Sequence, residues 1–377
     1  MKIVVMGNNA LMGGLIVHYI VLCRYLKKAG HDLFLINVND NDAHLFEDGN
    51  IPEISVPYIT NTFPKKLGKY LKLRKACRKA KSFNPDLFIA TGYGHGYSMV
   101  AGALPASTFK FFEEVHFEAH NIPLKLKMVR LFDAIAPQTE GMIEIFKKNV
   151  SADKPVAWLP CFSKEYKSNR FESIPSSEGT IKLAYFGRLE WNKGIRQFVT
   201  ATRKIFKNKD VVLDIYGKGS EAEDLQKTIK SEGLEKKVIM RGFYQDEDFA
   251  GIISACHGVV IPSVDTEGLP LIVIEAMRYG RPILCTTTGA MPEVARVNKD
   301  GMVVSGKEPG ELIDNLKVFI GHIKAESFSA QDIHQVYRNY FSNAAFWEIW
   351  EEMLQNPKAY FTAQASPVEE PVLTSTN

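Results

Sequence analysis

Short apolar runs alternate with helically periodic segments along most of this 377-residue chain, and the alternation occurs twice. In the first half the runs are IVVMG, DLFLINV, DLFIA, TFKFF, AIAP and PVAWLP. Between them lie stretches such as Leu15–Lys28 and Met142–Lys148, whose apolar residues recur every three or four positions. Continuous apolar runs of four to eight residues suit strands buried on both faces. The strand–helix–strand order then predicts a mostly parallel sheet covered by helices. A polar segment from Cys161 to Thr180 reads as a linker. A second series follows it: KLAYFG, VVLDIYG, KVIMRG, GVVIPS, RPILCTT and GMVV. The expectation is an α/β chain of two doubly wound domains, residues 1–165 and 166–335. An aromatic helical stretch from about Gln331 to Leu354 carries Trp347 and Trp350. Residues 336–356 are expected to cross back onto the first domain or to form a dimer surface, and 357–377 to be a flexible tail.

Composition narrows the class. With 45% hydrophobic and 24% charged residues the chain reads as soluble and globular. The longest apolar stretch, Leu15 to Cys23, contains His18 and falls short of the roughly 20 residues a spanning helix needs. The apolar run after Lys2 reads as a first strand rather than a signal peptide. Five scattered cysteines with no CxxC pair suggest neither zinc nor a disulfide framework, and a reducing cytoplasm fits best.

Ligands of doubly wound sheets bind beyond the carboxyl ends of the strands, so motifs that follow strands carry the most weight. The segment Asp265 to Met277, DTEGLPLIVIEAM, follows the run GVVIPS. Gly268 to Tyr279 has helical character, and Pro270 suits a helix start. The opening amides of that helix and its dipole favour a diphosphate. Glu267 would accept hydrogen bonds from sugar hydroxyls, and Glu275, two turns in, from a ribose. Taken singly, each glutamate also reads as a capping acid or a solvated helical residue. A second motif, Tyr185 to Gly194, YFGRLEWNKG, places Arg188 and Lys193 on one loop after Gly187. Two fixed cations are what a departing nucleotide diphosphate needs, although alone they read as surface charges.

Together GRLEWNKG, VVLDIYGKG, VIMRGF, VVIPSVDTEGLPLIVIEAM and GRPILCTTTGAMPE make residues 181 to 304 resemble the large retaining glycosyltransferase family 4, glycosyl transferases group 1. The resemblance implies the GT-B fold: two Rossmann-like domains facing across a cleft, with an N-terminal acceptor domain and a C-terminal nucleotide-sugar donor domain. It implies that Arg188 and Lys193 bind the diphosphate and that Glu267 meets the donor sugar. The backbone of Gly268, Leu269, Pro270 and Leu271 would lie nearby, Glu275 would hold the ribose, and main chain at Gly242 and Phe243 would meet the base. Gly13-Gly14 resembles the family's loop that lets backbone approach the donor phosphate. Many members carry a histidine after the fourth strand. Here TFKFF is followed by Glu113, Glu114 and His116, so Glu113 or His116 is the candidate facing the sugar, with His95 a further one. The donor is a substrate, and no cofactor is implied.

The remaining features concern partners. Asp40-Asn-Asp42 matches a D-x-D pattern but reads as a solvated turn, and no metal site is expected. The formal charge is +3, yet the first 175 residues hold 23 Lys and Arg against 16 Asp and Glu. Nine cations lie between Lys65 and Lys81, with Lys65, Lys69, Lys72, Lys75 and Lys79 on one helical face. An anionic membrane surface is the favoured partner, with an acidic acceptor or a merely solvated face as alternatives. Nucleic acid is not expected, since no stacking aromatics are interleaved. The sequence thus predicts retaining, metal-independent transfer of a hexose or N-acetylhexosamine from a nucleotide-diphosphate sugar to a hydroxyl. The acceptor would be a glycan or lipid-linked intermediate of cell-surface polysaccharide or glycolipid synthesis, at the inner face of the membrane. Alternatives are a nucleotide-sugar epimerase on the same fold and a catalytically silent carbohydrate- or membrane-binding subunit.

Overall fold

The architecture follows from the buried apolar runs. In the computed structural model, which describes residues 1–8, 14–39, 51–57, 67–92, 94–114, 129–149, 154–165, 171–265 and 268–364, every run except PVAWLP becomes a strand whose neighbours are parallel. The first sheet comprises β1 (Lys2–Asn8), β2 (Asp32–Val38), β3 (Glu53–Val56), β4 (Leu87–Thr91), β5 (Phe109–Glu114) and β6 (Ala134–Pro137), in the order β3-β2-β1-β4-β5-β6. All five residues of β4 are buried, as a strand covered on both faces requires. Its helices are α1 (Gly14–Lys28), α2 (Leu67–Phe83), α3 (His95–Ala103) and α4 (Met142–Asn149).

The second sheet comprises β7 (Ile181–Phe186), β8 (Val211–Tyr216), β9 (Val238–Gly242), β10 (Gly258–Ile261), β11 (Ile283–Thr286) and β12 (Met302–Ser305), in the order β12-β11-β10-β7-β8-β9. Around it lie α5 (Ile195–Asn208), α6 (Ala222–Ser231), α7 (Asp246–Ser254), α8 (Leu271–Arg278), α9 (Met291–Val297) and α10 (Pro309–Lys324). Helix α5 buries Ile195, Phe198, Val199, Thr202, Ile205 and Phe206, an i, i+3, i+4 stripe that faces the core. Helix α10 is started by Pro309 and by a reciprocal capping box between Glu308 and Glu311.

The chain ends in α11 (Ala330–Val336), a π-helical turn (Tyr337–Phe341), α12 (Asn343–Gln355) and α13 (Pro357–Gln364). The stretch read as one helix from Gln331 to Leu354 is therefore two, parted by the π turn. Contacts divide the chain into one unit of residues 1–164 with 346–377 and another of 165–345. Trp350 of α12 is fully buried in the first unit, and its indole N–H donates to the Pro160 carbonyl at 3.0 Å. The first eight residues of the expected tail form α13. Its Phe361 is buried against Phe109 and Phe111, and the Tyr360 hydroxyl donates to the Trp158 carbonyl. The run PVAWLP is no full strand. It runs along β6 through a single bridge, Val156 to Ile135, because Pro155 and Pro160 have no N–H to extend the ladder.

Two buried polar devices fix the units internally. In the first, Gly7 accommodates the Tyr19 ring, since a Cβ there would lie 2.7 Å from it. The Tyr19 hydroxyl donates to Asn37, and the Asn37 amide to Glu53, joining α1, β2 and β3. In the second, the wholly buried Arg281 donates to the carbonyls of Tyr279, Ser254, Cys256, Ser173 and Glu172. Burial disfavours its charge and lowers its pKa, and the five carbonyls supply the compensating acceptors. Arg281 thereby anchors the segment ahead of β7 within the second unit.

Replacing Trp350 by Ala removes a filled core position and leaves the Pro160 carbonyl without its donor. We expect a loss of about 3–5 kcal/mol in chemical denaturation. A loss below about 1 kcal/mol would mean that α12 does not hold the first unit.

Candidate functional site

In each sheet the winding reverses at one place, and loops leaving the strands there turn to opposite faces and open a crevice. In the second sheet that place is between β7 and β10, the adjacent pair from which the chain winds outward in both directions. The two motifs singled out in the sequence occupy it: the loop Gly187 to Gly194 follows β7, and the segment Pro262 to Pro270 follows β10. In the first sheet the reversal lies between β1 and β4, where Gly14 and the Gly92, Gly94, His95 turn are found.

The two motifs of the second sheet are joined through backbone. The Val264 N–H donates to the Asn192 carbonyl at 3.0 Å. Gly194 closes the 3-10 turn Trp191–Lys193 at φ 69°, and a Cβ there would lie 1.9 Å from the Pro262 carbonyl oxygen. Only glycine permits that approach and that dihedral. The half-buried Lys193 is thus set beside the strand end that leads to Gly268. Arg188 is exposed on the same loop, whose shape is held by the Tyr185 hydroxyl donating to the Arg188 carbonyl at 2.7 Å. The loop is also stitched to the one after β8: Leu189 donates to the Lys218 carbonyl, and Glu221 to that of Leu189. The Ser220 hydroxyl donates to Glu190 at 2.6 Å. Hydrogen bonds from the Ser220 hydroxyl and amide, aided by Arg188, hold the half-buried Glu190 carboxyl below its usual pKa.

Helix α8 opens at Pro270, which stands at the N-cap position in extended conformation (φ −61°, ψ 126°) with no side-chain cap. Val273 already bonds to the Pro270 carbonyl, so the amides of Leu271 and Ile272 are the ones that open the helix. Gly268 is buried, and Leu269 and Leu271 are half-buried. Glu275 lies half-buried, one turn inside the helix. It is close enough to Tyr244 to help burial raise the phenol's pKa well above its ordinary value. In the turn after β9 Phe243 is exposed, with the Lys218 ammonium 5.3 Å above its ring. Tyr244 packs on Phe186, Tyr216 and Phe249, which fixes the turn's base.

Among the described residues, then, Arg188, Lys193, Gly187, Phe243, Gly268, Leu269, Pro270, Leu271 and Glu275 gather at the carboxyl edge of one sheet. Glu267, Gly13 and His116 lie outside the described residues, as do Asp40, Asp42 and Lys65. Glu113 is described and stands differently from its expected place at the sugar. It is buried, and its carboxylate meets His18 Nε2 at 2.9 Å. His95 is exposed at the start of α3, its ring 6.2 Å from that of Tyr70. Sequence reading gave no hint of His18, whose partner is 95 residues away. Among the described residues no group of three His, Cys, Asp or Glu is placed to hold a metal ion, and no helix is long and apolar enough to cross a membrane. All five cysteines are free and buried.

The basic helix is α2. It buries Leu73, Ala76, Cys77 and Ala80, exposes Lys72, Lys75 and Lys79, and leaves Lys69 half-buried. Leu71 is 53% exposed on the outer side of the same helix. Arg74, Cys77 and Arg78 of α2, with Met99 and Ala103 of α3, line a groove of about 520 Å³.

Residues 167–326 match the family glycosyl transferases group 1. An uncharacterised glycosyltransferase of Methanocaldococcus jannaschii is 29% identical over 150 residues, 40% of this chain and 38% of that protein. A GDP-mannose-dependent alpha-(1-6)-phosphatidylinositol monomannoside mannosyltransferase of Mycobacterium tuberculosis is 26% identical over 181 residues, 44% of this chain and 47% of that protein. The chain's match thus spans less than half the length of these curated relatives. The solved structure of HepE from Anabaena, in complex with UDP, is similar over 94% of this chain and all of that one, with a TM-score of 0.76 at 17% identity. Residues 167–326 are thus similar to the glycosyl transferases group 1 family, and the chain's two Rossmann-like domains have the GT-B fold.

Proposed function

We propose that this protein is a retaining, metal-independent glycosyltransferase. It moves a hexose or N-acetylhexosamine from a nucleotide-diphosphate sugar to a hydroxyl of a glycan or lipid-linked acceptor. The observation that carries this reading is the backbone link between Val264 and Asn192, which sets Lys193 beside the strand end leading to the opening of α8. A diphosphate at the Leu271 and Ile272 amides would have Lys193 and Arg188 as its counter-charges. The Glu275 carboxylate lies within electrostatic reach of Tyr244, next in the chain to Phe243, where the base would lie. The match of residues 167–326 to glycosyl transferases group 1 and the UDP held by HepE support the same assignment. The mycobacterial relative's name points to a lipid acceptor and synthesis of a glycolipid.

In this reading the bond between the anomeric carbon and the phosphate oxygen breaks, and the acceptor hydroxyl oxygen bonds to the same face of that carbon. The hydroxyl proton passes to the departing phosphate. Front-face departure of this kind needs positioning and charge stabilisation rather than a nucleophilic carboxylate. Arg188 and Lys193 neutralise the charge that grows on the diphosphate, Glu267 holds the sugar hydroxyls, and Glu275 holds the ribose.

The exposed face of α2, with Lys69, Lys72, Lys75 and Lys79 around Leu71, is assigned to the anionic inner surface of the membrane. Cations near lipid headgroups contribute about 1 kcal/mol each, and Leu71 adds apolar area.

Lys193→Ala is expected to lower kcat/KM about 10²–10³-fold with an unchanged unfolding transition; near-normal turnover would remove Lys193 from the reaction. Glu275→Ala should act mainly on donor KM, read in initial-rate kinetics, and an unchanged donor KM would take it out of the ribose site. Reversing Lys72, Lys75 and Lys79 to Glu should cut sedimentation with phosphatidylserine-containing vesicles by about a hundredfold or more. Raising salt to about 0.5 M should weaken the unaltered protein likewise. Binding unaffected by either change would leave α2 as a solvated face.

A further inference from the structure

The loop after β8, Gly217-Lys218-Gly219, is clamped between two parts of the second unit's carboxyl edge. On one side the Gly217 N–H donates to the Gly242 carbonyl at 2.8 Å, at the end of β9. On the other, Leu189 of the loop that carries Arg188 donates to the Lys218 carbonyl at 2.9 Å. A Cβ at Gly217 would lie 1.8 Å from the Gly187 carbonyl oxygen, and one at Gly219 2.3 Å from that of Leu189. Glycine is thus required on both sides of residue 218, which alone of the three carries a side chain.

That side chain is an exposed lysine on a fixed backbone. It is directed to the β9 turn, where its ammonium stands 5.3 Å from the centroid of the Phe243 ring. Among the described residues the ammonium makes no ion pair and no hydrogen bond. A cation over an exposed ring is weakly held in water, so it exchanges readily for a better acceptor. Phe243 itself is 56% exposed, yet its turn is fixed by Tyr244, which packs on Phe186, Tyr216 and Phe249. An exposed ring on a fixed turn, with a cation at its face, offers what a nucleobase requires: a flat apolar surface for stacking and a donor beside it.

We propose that Lys218 selects the base of the donor, favouring a keto base, uracil or guanine, over an amino base, cytosine or adenine. The inference rests on the reading above, in which the base lies at Phe243. The base stacks on the Phe243 ring, and the Lys218 ammonium donates to O4 of uracil or O6 of guanine. Cytosine and adenine present an amino group at the corresponding place, and two donors do not pair. An ammonium has three donors and no acceptor, so it discriminates where a neutral amide, which also accepts, would not.

Titration calorimetry of the full chain with UDP, CDP, GDP and ADP tests this. In the unaltered chain UDP should bind at least about tenfold more tightly than CDP, or GDP than ADP. Lys218→Met keeps an unbranched stem and removes the charge. It should weaken the favoured keto nucleotide about tenfold and leave its amino counterpart within about twofold, so that the preference disappears. Lys218→Arg keeps the donors and should keep the preference. Equal weakening of all four nucleotides by Lys218→Met would put the lysine on the diphosphate and overturn the proposal. So would a preference absent from the unaltered chain, or one that survives in Lys218→Met. Phe243→Ala should weaken keto and amino nucleotides alike by about tenfold, through lost stacking; unchanged affinities would remove the platform and the proposal with it. Failure of the unaltered chain to bind any of the four would instead count against the transferase reading itself.

Discussion

The reversal of winding in a parallel sheet is the constraint on which the rest depends. Where β7 and β10 lie side by side, their following loops turn away from each other and leave the strand ends uncovered. Backbone groups and helix starts converge on that spot without any side chain being specialised for it. The chain then adds little chemistry of its own: Arg188 and Lys193 on one loop, Glu275 on a helix, and an aromatic turn at Phe243 and Tyr244. Reliance on backbone explains why the site can be so sparse in titratable groups.

Glycine makes that reliance possible. At Gly194 the 3-10 turn meets the Pro262 carbonyl more closely than any side chain allows, and the Val264–Asn192 hydrogen bond follows from that approach. In the first unit Gly7 plays a comparable part beneath the Tyr19 ring, drawing α1 down onto β1 and β2. Each unit thus fixes its first strand–loop–helix passage by a close contact at a glycine, then orients it with polar groups. Those are the Tyr185 hydroxyl in the second unit and the His18–Glu113 pair in the first.

Much of this was legible in the sequence because it is local. Each apolar run, and each of the motifs after β7 and β10, is a stretch of consecutive residues. What was not legible is of three kinds. Short or polar edge elements escaped: β3, with the sequence EISV, has too little apolar character, and α13 hides behind Pro357 in a stretch with little amphipathic pattern. Proline limited PVAWLP to a single bridge although its composition is that of a strand. Contacts between residues far apart in the chain escaped altogether. Glu113 looked like a catalytic candidate from its position after a strand, whereas its partner His18 lies 95 residues away on a helix whose pattern suggested only core packing.

The central claim is that the carboxyl edge of the second sheet holds a nucleotide-diphosphate sugar without a metal. Thermal unfolding of the full chain with UDP-glucose, UDP-N-acetylglucosamine or GDP-mannose, with and without EDTA, tests it most directly, because a ligand that binds only the folded state raises the transition by mass action. The account predicts a rise in Tm with one of these sugars that EDTA leaves unchanged and Lys193→Ala abolishes. No rise with any of them, or a rise that EDTA removes, would contradict it.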